Sequence, residues 1–246
     1  NSGGEIVVTL DSVSTQSENT ADSTYYNYTV TKTWFATDES GNIDSLKQVI
    51  TVRDTESPTF NTIPKDTLLR CDGEYVHKWP MVEDNCAPIA NITLTLRDSV
   101  STQSENLDSC THYSYTITKT WLAKDPTGNS NTVTQVITIK DTVAPSFVVT
   151  KDTVMPIYEG RCIYRVPDLS SLVMSDLADN CTNVENLIYT QTPDTTERIS
   201  QTTTVYIRLA DPCGNSTLDS VTIFVETSKD AIISVSMDEI AACSAD

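Results

Sequence analysis

YTITKTWLAKDPTGN, residues 115–129, recurs as YTVTKTWFATDESGN at residues 28–42 and, more worn, as TTVYIRLADPCGN at residues 203–215. Trp121 follows Trp34 by 87 residues, Gly128 follows Gly41 by 87, and Gly214 follows Gly128 by 86. A period of this length exceeds the 20 to 50 residues of solenoid repeats, and it gives each unit enough chain to bury its own core. Within the stretch, Ile117, Trp121 and Ala123 fall on one side of a two-residue alternation. Thr116, Thr118, Thr120 and Leu122 fall on the other, which is the pattern of a half-buried β-strand. The worn copy keeps Val205, Ile207 and Leu209 on the inner side, so the tryptophan position needs apolar packing and not indole chemistry.

Outward from this anchor the chain divides into residues 1–57, the later part of one module; 58–144, a complete module; 145–227, a divergent one; and 228–246, the start of a further module or a linker. Because the first residues begin part-way into a repeat, the chain reads as an excerpt of a longer polypeptide. The loop text DSVSTQSEN stands verbatim at 11–19 and 98–106. Loops usually vary faster than cores, so this identity points to recent duplication. RDTESPTF (53–60) and KDTVAPSF (140–147) mark the joints, with Pro58 and Pro145 again 87 apart. Proline fixes φ and holds the residue before it extended. With no Gly/Ser-rich spacer, such joints predict a semi-rigid array.

The 246 residues carry 34 acidic against 16 basic side chains, a net charge of −18. Such a surface repels phosphate backbones and anionic lipid, which argues against nucleic acid and membrane surfaces. No stretch approaches the roughly 20 apolar residues of a membrane span, so no direct membrane insertion is expected. His77 and His112 are the only histidines, neither recurs at the repeat offset, and no nucleophile elbow, phosphate loop or HExxH motif occurs; the chain does not read as an enzyme. Cys71 and Cys86 occupy places corresponding to Cys162 and Cys181, the later one following Asp-Asn each time. The expected disulfides are Cys71–Cys86 and Cys162–Cys181, each closing a short loop for about 3 kcal/mol. They imply an extracellular location. Cys110, Cys213 and Cys243 have no obvious partners.

The Asp38, Gly41, Asn42 set, repeated at Asp125, Gly128, Asn129 and Asp211, Gly214, Asn215, suits a tight turn or a calcium loop. No cofactor is expected beyond structural calcium at the joints, where Asp54, Asp84, Asp141 and Asp179 are the candidate donors. Tyr25, Tyr26, Tyr28, Tyr113 and Tyr115 suit strand packing or a sugar-stacking patch.

Cys71-Asp72, Asp84-Asn85-Cys86, the run Ile117 to Asn129 and Asp141 to Pro145 together resemble the hyalin-repeat (HYR-like) modules of bacterial surface proteins over nearly all of residues 1–227. The resemblance implies an all-β fold of tandem immunoglobulin-like β-sandwich modules in an elongated array. It further implies a large secreted cell-surface adhesin of Bacteroidetes, including the gliding-motility adhesins exported by type IX secretion. The chain would then be a non-catalytic stalk whose partners are its neighbouring modules. A polysaccharide-binding module contacting surface glycans or other cells, and an accessory domain of a secreted enzyme, are the alternatives. Family members often bridge a cysteine before the Trp strand to one in the D-x-C-G-N turn. Here the second module has only Cys110 and the third only Cys213. Eight Asp-Ser/Thr-x triplets resemble the general O-glycosylation acceptor of Bacteroidetes. Their hydroxyls belong to Ser12, Ser45, Thr67, Ser99, Thr142, Thr153, Thr195 and Ser220.

Overall fold

The structure, a computed structural model, describes residues 4–149, 153–155, 163–173 and 176–225. It is built almost wholly of β-strands. The first repeat gives β1 (Val7–Ser14), β2 (Tyr28–Thr37) and β3 (Ile43–Val52), paired antiparallel in that order. The second gives β4 (Thr59–Thr62), β5 (Thr67–Arg70), β6 (Met81–Glu83), β7 (Thr93–Ser101), β8 (Tyr115–Lys124) and β9 (Ser130–Lys140). Its strands form a four-stranded sheet, β5-β9-β8-β7, and a two-stranded sheet, β4-β6. The third gives β10 (Thr153–Met155), β11 (Tyr164–Arg165), β12 (Ile188–Thr192), β13 (Arg198–Ile199), β14 (Thr203–Ala210) and β15 (Ser216–Val225). These make the sheets β10-β15-β14-β12 and β11-β13, where β10 runs parallel to β15 and the other pairs are antiparallel.

The alternation read from the anchor is the one that packs. Trp121 and Ala123 are fully buried, as are Val205 and Ile207, with Leu209 nearly so. In the second repeat Val82 of β6 and Phe60 of β4 pack with Leu94 of β7 and Ala123 of β8, so the small sheet covers the large one as in a β-sandwich. In the third repeat Ile199 of β13 and Val166 meet Val205, Ile207, Leu209, Val221 and Ile223 in the same way. Each such fully buried side chain stabilises the fold by about 1.5–3 kcal/mol relative to exposure. Beside β1-β2-β3 no second sheet stands among the described residues, and Trp34 is accordingly only half-buried where Trp121 is sealed.

The polar text at Asp11–Ser14, expected as loop, is the end of β1, paired with Val30–Thr33. Asp98–Ser101 likewise ends β7. Ladder pairing at a solvated edge overrides the low strand preference of Asp and Ser.

Two compact units emerge: residues 1–67, 75–101 and 117–137, and residues 68–74, 102–116 and 138–246. The divisions fall within the second repeat and not at the prolines, so each proline joint lies inside one unit.

Candidate functional site

The Asp-x-x-Gly-Asn segments are turns. Asp38 Oδ1 accepts from the N–H groups of Ser40 and Asn42, both at 2.9 Å, and Asp38 Oδ2 accepts from Asn42 Nδ2 at 2.7 Å. Gly41, Gly128 and Gly214 sit at φ of 82°, 101° and 87°, a left-handed backbone that favours glycine. In the second and third repeats the turn has a further task. Asn129 Nδ2 donates to the carbonyl of Asp54 at 3.4 Å, and Asn215 Nδ2 to that of Asp141 at 3.3 Å. The turn asparagine of one repeat thus holds the joint that precedes it.

Around each joint the same bonds recur. Asp54 N–H donates to Asn27 Oδ1 at 2.8 Å; the counterpart, Asp141 N–H, donates to Ser114 Oγ at 3.0 Å. Asp54 Oδ1 caps the N–H of Glu56, and Asp141 Oδ1 that of Val143. Asp84 Oδ1 accepts from Cys86 and Ala87 N–H at 2.9 and 2.8 Å, and Asp179 Oδ1 from Cys181 and Thr182 N–H at 3.0 and 2.7 Å. Pro58 and Pro145 are fully buried, and their carbonyls accept from Asn131 Nδ2 and Thr217 Oγ1. In the first unit Tyr26 packs with Val82, Ala87 and Ile92, and its hydroxyl donates to Thr20 O at 2.8 Å, beside Asn91. Tyr26 therefore serves docking and not an exposed sugar platform.

The four carboxylates expected as cation donors all lie at these joints, Asp54 and Asp84 at the first, Asp141 and Asp179 at the second. Asp54 and Asp141 are only 6% and 5% exposed. The Oδ2 atom of each of the four is buried with no N–H or O–H donor. Burial pushes the Asp54 carboxyl up from its ordinary value; the Glu56 N–H opposes this, and the charges of Asp84 and Asp125 reinforce it. Burial does the same to Asp141, opposed by the Val143 N–H and reinforced by Asp211 and Asp179. The Asp125 and Asp211 carboxylates, read from the sequence as turn or calcium-loop residues, stand beside the expected joint donors and act on Asp54 and Asp141.

The cysteines correct the expected pairing. Cys71 bridges Cys181, with Cα atoms 5.9 Å apart, and Cys110 bridges Cys213, with Cα atoms 4.3 Å apart. Cys86 is a free, exposed thiol beside Asp54, and burial of the sulfur with the nearby Asp54 charge pushes its pKa up. Cys71–Cys86 fails for a topological reason: Cys71, following β5, belongs to the unit that holds the second joint, whereas Cys86, following β6, belongs to the unit that holds the first. Both bridges join the second repeat to the third. Cys162, expected as the partner of Cys181, and Cys243 lie outside the described residues.

Of the eight acceptor hydroxyls, Ser12, Ser45, Ser99, Thr142, Thr195 and Ser220 are on exposed residues, and Thr67 is half-buried with its hydroxyl donating to Lys65 O at 3.0 Å. Thr153 lies in β10, with its side chain outside the described set.

No family model matches the sequence, and no curated protein matches it. Solved structures that match include Drosophila N-cadherin EC1-4, at 13% identity and a TM-score of 0.30, covering 82% of this chain and 58% of that one. Protocadherin gammaB7 EC3-6 matches at 11% identity and 0.33, covering 90% and 68%, and the human desmocollin-1 ectodomain at 12% and 0.28, covering 87% and 50%. The chain thus spans between half and about two thirds of the length of these structures.

Proposed function

We propose that the repeats are a non-catalytic stalk of a large secreted cell-surface adhesin, of the HYR-like kind that the sequence resembles in Bacteroidetes gliding-motility adhesins. The boundaries of its modules are the prolines, at residues 58 and 145. The observation that carries the reading is the pair of disulfides Cys71–Cys181 and Cys110–Cys213, both of which tie one repeat to the next. A spacer transmits load from module to module, and covalent ties across a joint carry that load without relying on the noncovalent contacts there. Disulfides of this kind persist in an oxidising, extracellular compartment. Recurrence of the same joint bonds in both units supports a part that is repeated for reach and not for recognition.

The test is a panel of surface polysaccharides titrated against the oxidised chain by calorimetry. A stalk gives no saturable binding to any of them; saturable binding that maps to a single repeat overturns the stalk reading in favour of the binding-module alternative. The exposed acceptor hydroxyls support O-glycosylation as part of the same proposal. Protein from its native source should then exceed the 27.1 kDa of the bare chain by the mass of at least one glycan; a bare mass removes that part alone.

A further inference from the structure

Two groups of carboxylates, each of two buried aspartates and a half-buried one, stand without the counter-charge that burial demands. At the first joint Asn129 Nδ2 links Asp54 O, at 3.4 Å, to Asp125 Oδ2, at 2.9 Å, and at the second Asn215 Nδ2 links Asp141 O, at 3.3 Å, to Asp211 Oδ2, at 2.8 Å. Asp84 and Asp179 lie near enough for their charges to act on Asp54 and Asp141. Among the described residues no lysine or arginine pairs with Asp54, Asp84, Asp141 or Asp179. Arg53 borders the same cleft as Asp54 without forming an ion pair, and Arg70 is engaged by Asp72 at 2.9 Å. Each of the four aspartates spends Oδ1 on a backbone N–H and leaves Oδ2 buried with no N–H or O–H donor, Asp54 having only the Cys86 thiol beside it. Asp54 and Asp141 are themselves more than nine-tenths buried. An unpaired buried carboxylate is among the costliest groups a protein can hold, and neighbours of like sign raise the cost. That the arrangement is kept in both joints, although the third repeat has diverged elsewhere, calls for something positive between the oxygens.

We propose that each joint binds a divalent cation of the calcium class, through Asp54 and Asp84 beside Asp125 at the first and through Asp141 and Asp179 beside Asp211 at the second. The donors are hard carboxylate oxygens, which suit calcium or magnesium, and calcium accepts the irregular six- to eight-fold oxygen shells that carbonyls and water can complete. Sulfur lies near the second joint as well: ligand atoms of Cys71, Asp141 and Cys181, and of Asp141, Asp211 and Cys213, fall within 4.8 Å of one another. Those cysteines are held in disulfides and supply no thiolate, which removes the soft ligands that zinc selects. The cation occupies the place where one repeat's closing residues, Asp54 or Asp141, meet the next repeat's Asp-Asn-Cys segment and Asp-x-x-Gly-Asn turn, so binding locks the two repeats together.

The experiment is calorimetric titration of CaCl2, MgCl2 and ZnCl2 into the oxidised 246-residue chain carrying Cys86→Ser, which removes the free thiol at the first joint. Calcium should bind two per chain, with dissociation constants on the order of 10⁻⁴ to 10⁻³ M, as in extracellular modules, and in preference to the other two ions. Asp54→Asn and Asp141→Asn should each remove one site, and the double variant both; Asp219→Asn, on an exposed residue that caps its own Ser220 N–H, should remove neither. The asparagine variants relieve repulsion between carboxylates, so without calcium they should melt at or above the parent's temperature while losing its calcium-dependent rise. Should either fail to fold, Asp84→Asn and Asp179→Asn read the same two sites. Absence of saturable calcium binding overturns the proposal, as does calcium binding unchanged in the double variant. A parent whose melting temperature rises on acidification from pH 7 to 5 but ignores calcium also overturns it, since the joints then hold a shared proton.

Discussion

Reducing the disulfides should lengthen the fully stretched chain by about 380 Å, at the reach of an extended backbone. When the chain is pulled from its ends after unfolding, Cys71–Cys181 bypasses 110 residues and Cys110–Cys213 bypasses 103. The two bridges interleave, so only one bypass can be taken between the shared ends. The taut path is the one that hides more chain, and 110 residues at about 3.3–3.6 Å each give about 360–400 Å. Local bridges such as Cys71–Cys86 would hide 15 residues, about 50 Å by the same spacing. The assay is single-molecule stretching in an optical trap, comparing oxidised chain with chain treated with reductant and with a Cys71→Ser, Cys110→Ser variant. In bulk, loop-closure entropy for a bridge of this span sets about 4.7 kcal/mol per bridge as the upper scale of the stability lost. A contour gain of only about 50 Å, the length of a local loop, or no gain at all, would refute the cross-repeat connectivity and with it the covalently tied joint.

The first joint should accept the tie it lacks. Ser23 and Thr127 hold the repeat positions of Cys110 and Cys213, so Ser23→Cys with Thr127→Cys in a Cys86→Ser background should oxidise to a single bridge, seen by peptide mapping; persistent free thiols at both would show that the two joints differ in geometry. Trp121 is fully buried and Trp34 half-buried, so in chains with the other tryptophans replaced by phenylalanine, acrylamide should quench Trp34 several-fold more strongly; equal quenching would mean that Trp34 is covered as Trp121 is. Burial, helped by the Asp168 charge, lifts the Tyr189 hydroxyl to about 12, and it donates to Gln191 Oε1 at 2.7 Å. Its folded pKa lies above the roughly 10 of an unfolded tyrosine, so its contribution is whole below pH about 10 and is lost as pH climbs toward 12. Tyr189→Phe should flatten that alkaline loss in denaturant titrations, and an unchanged slope would refute the assignment.

Much of this was legible because it is local and periodic. The inner positions Trp121, Ala123, Val205, Ile207 and Leu209 follow from side chains alternating along a strand, and Gly41, Gly128 and Gly214 announce turns that need a positive φ. Repetition also marked Asp54 and Asp141 as joint residues. The disulfides were not legible, because cysteine spacing carries no information on connectivity. Cys71 and Cys86 are near in sequence, but the chain between them passes from the unit of one joint to that of the other. Nor does Asn129 reveal in its own sequence context that, beyond closing a turn on Asp125, it reaches the carbonyl of Asp54, 75 residues earlier.

The stalk account stands or falls on reach, which grows only if successive repeats extend from one another. Small-angle X-ray scattering of the oxidised chain, in calcium, tests this directly. A compact globule of 246 residues would have a radius of gyration of about 18 Å. The stalk account predicts a radius well above that, with a distance distribution that peaks at the width of one module and declines in a long tail. A radius matching the compact globule, with a symmetric distribution, would contradict it.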